Sequence, residues 1–387
     1  MSRRRRLLSI AHSYVVALNR RLAHAIAKEG EHWEVTAVAP TFFHGDLRPI
    51  RLEHGPAEAS SLEGVQAYLS RSPHLFAYGG RLARILAQDW DMVHCWEEPF
   101  VLAGAQVAMW TPRRTPVVYT TAQNLPKRYP PPFCWTERLS LERASGWMAM
   151  GHTVAETLAN RPGYRSKPWR VVPLGLDVNQ FRPDLRAGAA ARAQLRLRAS
   201  GAPVVGYLGR FVPEKGLPLL MSALAELETP WRALFVGGGP LEPELRRWAA
   251  RYDDDRVRIV TGVKHDDVPS HLNAMDILCA PSQTTRSWRE QFGRMLIEAF
   301  ACGVPVIASD SGEIPHVVAD AGEIVGERDV DAWRLAIGTL LESPSRRYEL
   351  AQKGRARAET TYSWSVVGRQ TLRFFDELVD DARSEAA

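Results

Sequence analysis

The sequence predicts an α/β protein built from two Rossmann-like domains, and three observations carry that prediction. The first is a run of five strand-then-glycine segments in the second half of the chain, spread over roughly 120 residues, the order that open parallel sheets require. The second is a looser alternation of short apolar strands and helices in the first half. The third is length: 387 residues suit two or three domains with ample core. The two halves are only loosely alike, as two such domains would be.

In chain order, Leu7–Ala11 reads as the first strand, Val16–Lys28 as a helix with Val16, Leu18, Leu22 and Ile26 as its stripe, and Trp33–Val38 as a strand. Residues 41–75 read as loop and extended segments. Leu75–Ala87 is expected to be helical, Asp91–Cys95 and Pro116–Thr120 to be strands, Pro126–Pro132 a proline-rich loop, Trp135–Ser145 a helix and Gly146–Met150 a strand. Pro173–Pro183 reads as a hinge, and the Ala- and Arg-rich 184–200 as a helix or linker. Beyond it come Val204–Gly209, Trp231–Gly239, Arg256–Gly262 and Met275–Ser282 as strands ending in turns, the turn Asp310–Pro315, and a final helix over Val366–Leu378.

Composition excludes several classes. A hydrophobic content of 45% and a charged content of 24% describe an ordinary globular protein. Cys95, Cys134, Cys279 and Cys302 show no C-x-x-C spacing, which points away from zinc and toward a reducing, cytoplasmic compartment. No apolar run reaches the ~18 residues of a membrane span. Net charge is +5, yet no recognised nucleic-acid motif is present, and an anionic small-molecule substrate explains the charge as well. The run Arg3–Arg6 reads either as a solvated terminus or as a peripheral hold on anionic lipid at the inner face of the membrane.

Two segments carry chemistry. In Glu290-Gln-Phe-Gly293-Arg-Met-Leu-Ile-Glu298, two carboxylates lie either side of a glycine that opens a helix. Met295, Leu296, Ala299 and Phe300 make the apolar face, and Glu298 lies off it. At about 1.5 Å rise per residue, Glu290 and Glu298 stand roughly 9 to 12 Å apart. Between them Phe292 and Gly293 present free backbone N–H groups at the positive end of the helix. Such a segment suits a ligand that is anionic in the middle and carries hydroxyl pairs at both ends. The second segment, Val204-Val-Gly-Tyr-Leu-Gly209-Arg210-Phe-Val-Pro-Glu-Lys215-Gly216, sends two cations from the C-terminal end of a strand, where open sheets bind ligands. Arg210 and Lys215 there can neutralise a diphosphate. Lys precedes Gly and no Ser or Thr follows, so this is not a P-loop.

Together these segments resemble the E-x7-E and strand–R-x4-K-G–helix elements of GT-B glycosyltransferases of the retaining family 4 type (glycosyl transferases group 1). The resemblance is close over the second half of the chain and thin over the first. It implies a GT-B fold: an acceptor-side domain over 1–174, rejoined by a returning helix at 365–387, facing across a cleft a nucleotide-sugar domain over 175–364. It also implies roles. Glu290 contacts the donor sugar, the backbone of Phe292 and Gly293 lies near diphosphate and sugar, and Glu298 holds the ribose. Arg210 and Lys215, with Gly209 in their turn, take the diphosphate, and the backbone at Val263 faces the nucleobase. The implied reaction moves a sugar from a nucleoside-diphosphate sugar to a glycan, lipid-linked or small-molecule acceptor by front-face attack, with no cofactor and no metal.

The first half departs from the family pattern. Ala11-His12-Ser13-Tyr14 stands where many members carry a glycine pair, and Thr121-Ala122-Gln123-Asn124 where many carry a sugar-contacting His. His12, leaving the first strand, is the candidate replacement; His94 with Trp96, Glu97 and Glu98 is another. Gln123 and Asn124, with Lys127 and Arg128, are expected on the acceptor side. Asp89-Trp90-Asp91 spells D-x-D but precedes a strand, which reads as a loop and not a metal motif. A glycosidase reading would need carboxylates about 5 Å apart, shorter than the Glu290–Glu298 span. Two other readings stay open: a UDP-sugar 2-epimerase, which shares the GT-B fold, and a non-catalytic nucleotide-sugar-binding protein.

Overall fold

A computed structural model describes residues 3–45, 49–55, 58–197, 201–253 and 255–386. Parts of the 41–75 and 184–200 readings lie outside the described residues, at 46–48, 56–57 and 198–200. The chain divides into two compact units, Met1–Gly175 with Trp364–Ala387, and Leu176–Ser363.

In the first unit, seven parallel strands are described, in the order Trp169–Val171, Gly146–Ala149, Val117–Thr121, Met92–Cys95, Arg5–Ile10, Trp33–Pro40, Ser61–Val65. The order reverses direction about the first strand, so the switch point lies between Arg5–Ile10 and Met92–Cys95. Both faces are covered, which is why the strands read as continuous apolar runs. Leu8, Ile10, Val93 and Tyr119 pack on one face. Leu7, Ala37, Met92 and Met148 pack on the other against Val367, Phe374, Phe375 and Leu378 of the last helix, Trp364–Ala386. That helix is longer than the expected Val366–Leu378. Arg5 fastens it through Asp376 and Asp380, both at 2.5 Å, and the Trp33 indole N–H adds a bond to Asp376 at 3.1 Å.

The arginine run is largely committed inside the unit. Arg3 pairs with Asp89 and Asp91 at 2.9 and 3.0 Å, Arg5 with the last helix, and the Arg6 guanidinium lies 4.4 Å from the Trp90 ring centre. The D-x-D carboxylates are likewise occupied: Asp91 also accepts from Arg383 at 3.0 Å and from the Arg6 N–H at 2.8 Å.

The second unit has six described parallel strands in the order Val257–Val260, Arg232–Gly238, Val204–Arg210, Ile277–Ala280, Val306–Ser309, Gly322–Val325. Its switch point lies between Val204–Arg210 and Ile277–Ala280, which pair only through Val205 with Ile277 and Gly206 with Leu278. Past Gly206 the two strands part, and their C-terminal ends open a crevice. Phe235, Leu245 and Trp333 fill the core on one side of the sheet. The expected hinge is pinned within this unit by Arg355, whose guanidinium donates to the carbonyls of Val178, Phe181 and Ala301 at 3.3, 2.9 and 2.6 Å. Of the three consecutive aspartates Asp253–Asp255, Asp254 lies outside the described residues.

Several first-half elements differ from expectation. The helix expected over Leu75–Ala87 runs only over Arg81–Leu86, because Ala77–Tyr78 pairs as a short strand ahead of Gly79-Gly80. The strand Ser61–Val65 falls within the extended stretch read over 41–75, whereas the helices Leu102–Trp110 and His152–Leu158 and the edge strand Trp169–Val171 carry no clear sequence signal. Among the described residues, no helix is long and apolar enough to cross a membrane.

Candidate active site

The second unit's switch point assembles the carboxylates and cations that the sequence singled out. Strand Val204–Arg210 ends at exposed Arg210 and leads through a single turn, Pro213–Lys215, into the helix Leu217–Ala225. Gly216 makes that path possible. Its φ is +69°, and a Cβ there would stand 1.8 Å from the Pro281 carbonyl oxygen. Only glycine lets the two loops cross so closely, and the crossing brings Lys215 beside Glu290.

Glu290 is 6% exposed. Its Oε2 accepts from the Lys215 ammonium and, at 2.9 Å, from the Ser282 hydroxyl. The Lys215 nitrogen also lies 4.9 Å from the centre of the Trp288 ring, an arrangement that favours a cation. Ser282 is itself held, its carbonyl accepting from Ser309 Oγ at 2.6 Å. The Glu290 carbonyl accepts from the Glu313 N–H at 3.1 Å, with Gly312 so close that a Cβ would lie 2.1 Å from that oxygen.

Gly293 caps the helix Arg294–Ala301 in the left-handed region, φ +82° and ψ +61°, and no side chain caps this N-terminus. The Phe292 side chain is buried and packs edge-on to Tyr362, with ring centres 5.8 Å apart, so this residue can meet a ligand only through its backbone. Gly209 lies one residue before Arg210, whose carbonyl takes the Tyr207 hydroxyl at 2.7 Å. Val263 is half-buried after the turn that closes Val257–Val260. Glu298 is 6% exposed and accepts from His265 Nε2 at 3.3 Å. Met295, expected on the apolar face, is half-buried, and Ile297 is buried instead.

The first unit's switch point carries a second cluster. His12 opens the turn after the first strand. Its backbone N–H donates to Glu97 Oε1 and its Nδ1 meets Glu97 Oε2, both at 2.5 Å, while the Tyr78 hydroxyl donates to Oε1 at 2.7 Å. Phe43 and Phe76 flank the ring at 4.9 and 5.2 Å. Glu97 is 1% exposed, whereas the His12 side chain is 37% exposed, so a buried carboxylate fixes Nδ1 of a half-open imidazole.

His94, the other histidine candidate, is a core residue. It is fully buried, with Nδ1 on Ser9 Oγ at 2.9 Å and Nε2 on Thr120 Oγ1 at 2.8 Å, and burial pushes its pKa down to about 3. Gln123 and Asn124 follow the strand Val117–Thr121 and are buried, whereas Lys127 and Arg128 are exposed. The Gln123 side-chain amide has no partner for either its oxygen or its nitrogen among the described residues. Glu98 braces this strand end, accepting from Thr121 Oγ1 at 2.6 Å and from the Ala122 N–H at 2.8 Å; desolvation holds its carboxyl above the usual range.

Sequence reasoning missed Ser282, Trp288, Tyr78 and His265 as partners. Trp288, Tyr78 and His265 act through residues 19 or more positions away, whereas Ser282 lies only eight residues before Glu290. The one available signal was position at a strand end or in the loop that follows it.

This architecture, two Rossmann-type units with anion-directed loops at one switch point, is that of the GT-B class. Over 94% or more of this chain, solved GT-B structures superpose. They include a glycosyltransferase from Rickettsia africae (TM-score 0.76, 15% identity, 98% of this chain and 99% of that one) and Anabaena Alr3699/HepE in complex with UDP and glucose (TM-score 0.72, 19% identity, 96% and 100%). Two family models match: Glycosyltransferase Family 4 over residues 15–180 and Glycosyl transferases group 1 over residues 192–357. Each half of the chain thus matches a glycosyltransferase family model.

Among curated relatives, it is similar to a GDP-mannose-dependent alpha-(1-6)-phosphatidylinositol monomannoside mannosyltransferase of Mycolicibacterium smegmatis, 37% identical over 205 residues, which is 51% of this chain and 53% of that protein. It is also similar to a D-inositol 3-phosphate glycosyltransferase of Salinispora tropica, 33% identical over 269 residues, 64% of this chain and 54% of that protein. The chain thus spans about half the length of the curated relatives it matches.

Proposed function

We propose that this chain transfers a sugar, with retention at the anomeric carbon, from a nucleoside-diphosphate sugar to a hydroxyl of a lipid-linked, glycan or small-molecule acceptor. One observation carries the reading: Lys215, Glu290 and Ser282 converge at the second unit's switch point, with Arg210 exposed at the adjoining strand end.

Lys215 and Glu290 form an ion pair at the site. A donor diphosphate brings the negative charge that draws the ammonium, and Arg210 adds a bidentate contact. As the sugar–phosphate bond breaks, charge grows on the leaving diphosphate, and these two cations with the N-terminus of Arg294–Ala301 stabilise it. Glu290, braced by Ser282, accepts from hydroxyls of the sugar. Glu298 accepts from the ribose, and the backbone at Val263 meets the base. The acceptor hydroxyl attacks on the face the diphosphate leaves, and its proton passes to a departing phosphate oxygen, so no protein nucleophile is required. We assign His12, oriented by Glu97, to a hydroxyl of the sugar in place of the usual family histidine, and Gln123 and Asn124 to the acceptor side.

The relatives' names make GDP-mannose the first donor to test and inositol-bearing molecules the first acceptors. A lipid-linked acceptor would place the reaction at the inner face of the membrane. A thermal-shift screen against UDP, GDP, ADP and their sugars tests the donor site. A nucleotide at one hundred times its Kd adds about 2.7 kcal/mol of stability. If none of them raises the melting temperature, the donor-site assignment fails.

A further inference from the structure

We infer that His265 is a positioning residue that makes the donor site selective for ribonucleotides, by holding Glu298 in place from the loop that follows the base-facing turn. The inference rests on the proposed nucleotide-sugar reading and deepens it. Glu298 is buried on the helix Arg294–Ala301, and among the described residues His265 Nε2, at 3.3 Å, is the hydrogen-bond partner recorded for its carboxylate. An ionised carboxylate offers about four acceptor sites, and a buried one left with a single partner is costly. The remaining capacity suits a vicinal pair of hydroxyls.

His265 itself is built in. It starts the turn His265–Asp267, two residues after Val263, and its ring lies edge-on to Phe181 with centres 5.3 Å apart. Gln180 Nε2 donates to Asp266 Oδ1 at 3.0 Å, and the Phe181 carbonyl is clamped by Arg355. The pinned 177–181 segment therefore fixes the imidazole, and the imidazole fixes the carboxylate. One side chain ties the loop at the base to the group that reads the sugar of the nucleotide, so the two recognitions strengthen each other. A Glu298 released from His265 keeps its charge but loses its aim, and the preference for ribose over deoxyribose goes first.

The test measures binding of GDP, UDP and ADP, each beside its 2′-deoxy form, by calorimetry to the full chain and to its His265→Ala, His265→Gln and Glu298→Gln variants. For whichever base binds, His265→Ala should weaken the ribonucleotide about tenfold, the loss of one hydrogen bond to a charged group, while the deoxynucleotide changes little. His265→Gln, which restores an N–H donor, should recover most of the ratio. Equal weakening of both nucleotides, or an unchanged ratio in His265→Ala, overturns the inference while leaving the donor site standing. An unchanged ratio in Glu298→Gln overturns the ribose assignment beneath it, and binding of none of GDP, UDP and ADP overturns the donor-site reading.

Discussion

Replacing Lys215 with Ala should reduce release of nucleoside diphosphate from the donor by about 10²- to 10³-fold, the range seen when one preorganised charge-stabilising group is removed from an active site. The loss has two parts. In the proposed mechanism, charge developing on the departing diphosphate loses a point cation. Glu290, only 6% exposed, loses the ammonium that balances it, while the Ser282 hydroxyl still donates to it at 2.9 Å. Lys215→Arg should recover only part of the rate, because a planar guanidinium does not reproduce a compact ammonium seated against the Trp288 ring. Steady-state measurement of nucleotide release, paired with a thermal melt of each variant, separates the chemical effect from unfolding. A Lys215→Ala protein that melts normally and retains wild-type turnover would remove Lys215 from the mechanism.

Arg20→Ala should destabilise the first unit by about 3 to 5 kcal/mol, the cost of breaking one side of a buried ion pair. Arg20 is fully buried at the end of the short turn Ala17–Arg20. Its guanidinium donates to the Tyr14 carbonyl at 2.5 Å, to the Glu53 carbonyl at 2.7 Å and to Glu58 at 2.8 to 3.2 Å. Without it Glu58, whose side chain is 14% exposed, and two carbonyls lose a shared donor at once. Because Tyr14 belongs to the turn that begins at His12, the same change should loosen the imidazole that Glu97 orients. Urea unfolding followed by circular dichroism measures the effect, and a shift below about 1 kcal/mol, the size of an ordinary exposed pair, would show that the cluster is not the clamp its geometry describes.

Legibility in the sequence followed glycine. In the second unit each strand ends at a glycine turn or a Pro-Ser step, and Val204–Arg210 and Arg232–Gly238 lie within a residue or two of where the pattern put them. In the first unit the helix Leu102–Trp110 has Ala103, Gly104, Ala105, Gln106, Val107 and Ala108 all buried, so no polar face produces a helical period. Ser61–Val65 alternates weakly because it is an edge strand with half-buried positions. The expected helix over 75–87 overran its start because Leu75 and Phe76 match the apolar spacing, while Gly79-Gly80 interrupts the backbone that would carry it.

The site divides in the same way. Glu290 and Glu298 were readable because eight residues of one chain segment hold them. Arg210 and Lys215 were readable because a strand end and a glycine fix their exit. That Lys215 pairs with Glu290 was not readable, since it depends on Gly216 passing under the Pro281 carbonyl, 65 positions further on. His94 drew attention as a histidine near a strand end, but its ring is sealed between Ser9 and Thr120, and its neighbour Glu97 orients the half-open imidazole at the sheet opening.

The measurement that tests the central claim most directly is proton NMR of the reaction of the full chain with an α-linked donor such as GDP-mannose and an inositol-bearing acceptor. The account predicts nucleoside diphosphate and an α-linked glycoside formed together, with both signals lost in Lys215→Ala. A β-linked product, or conversion of a donor sugar to its C2 epimer in the absence of acceptor, would contradict it.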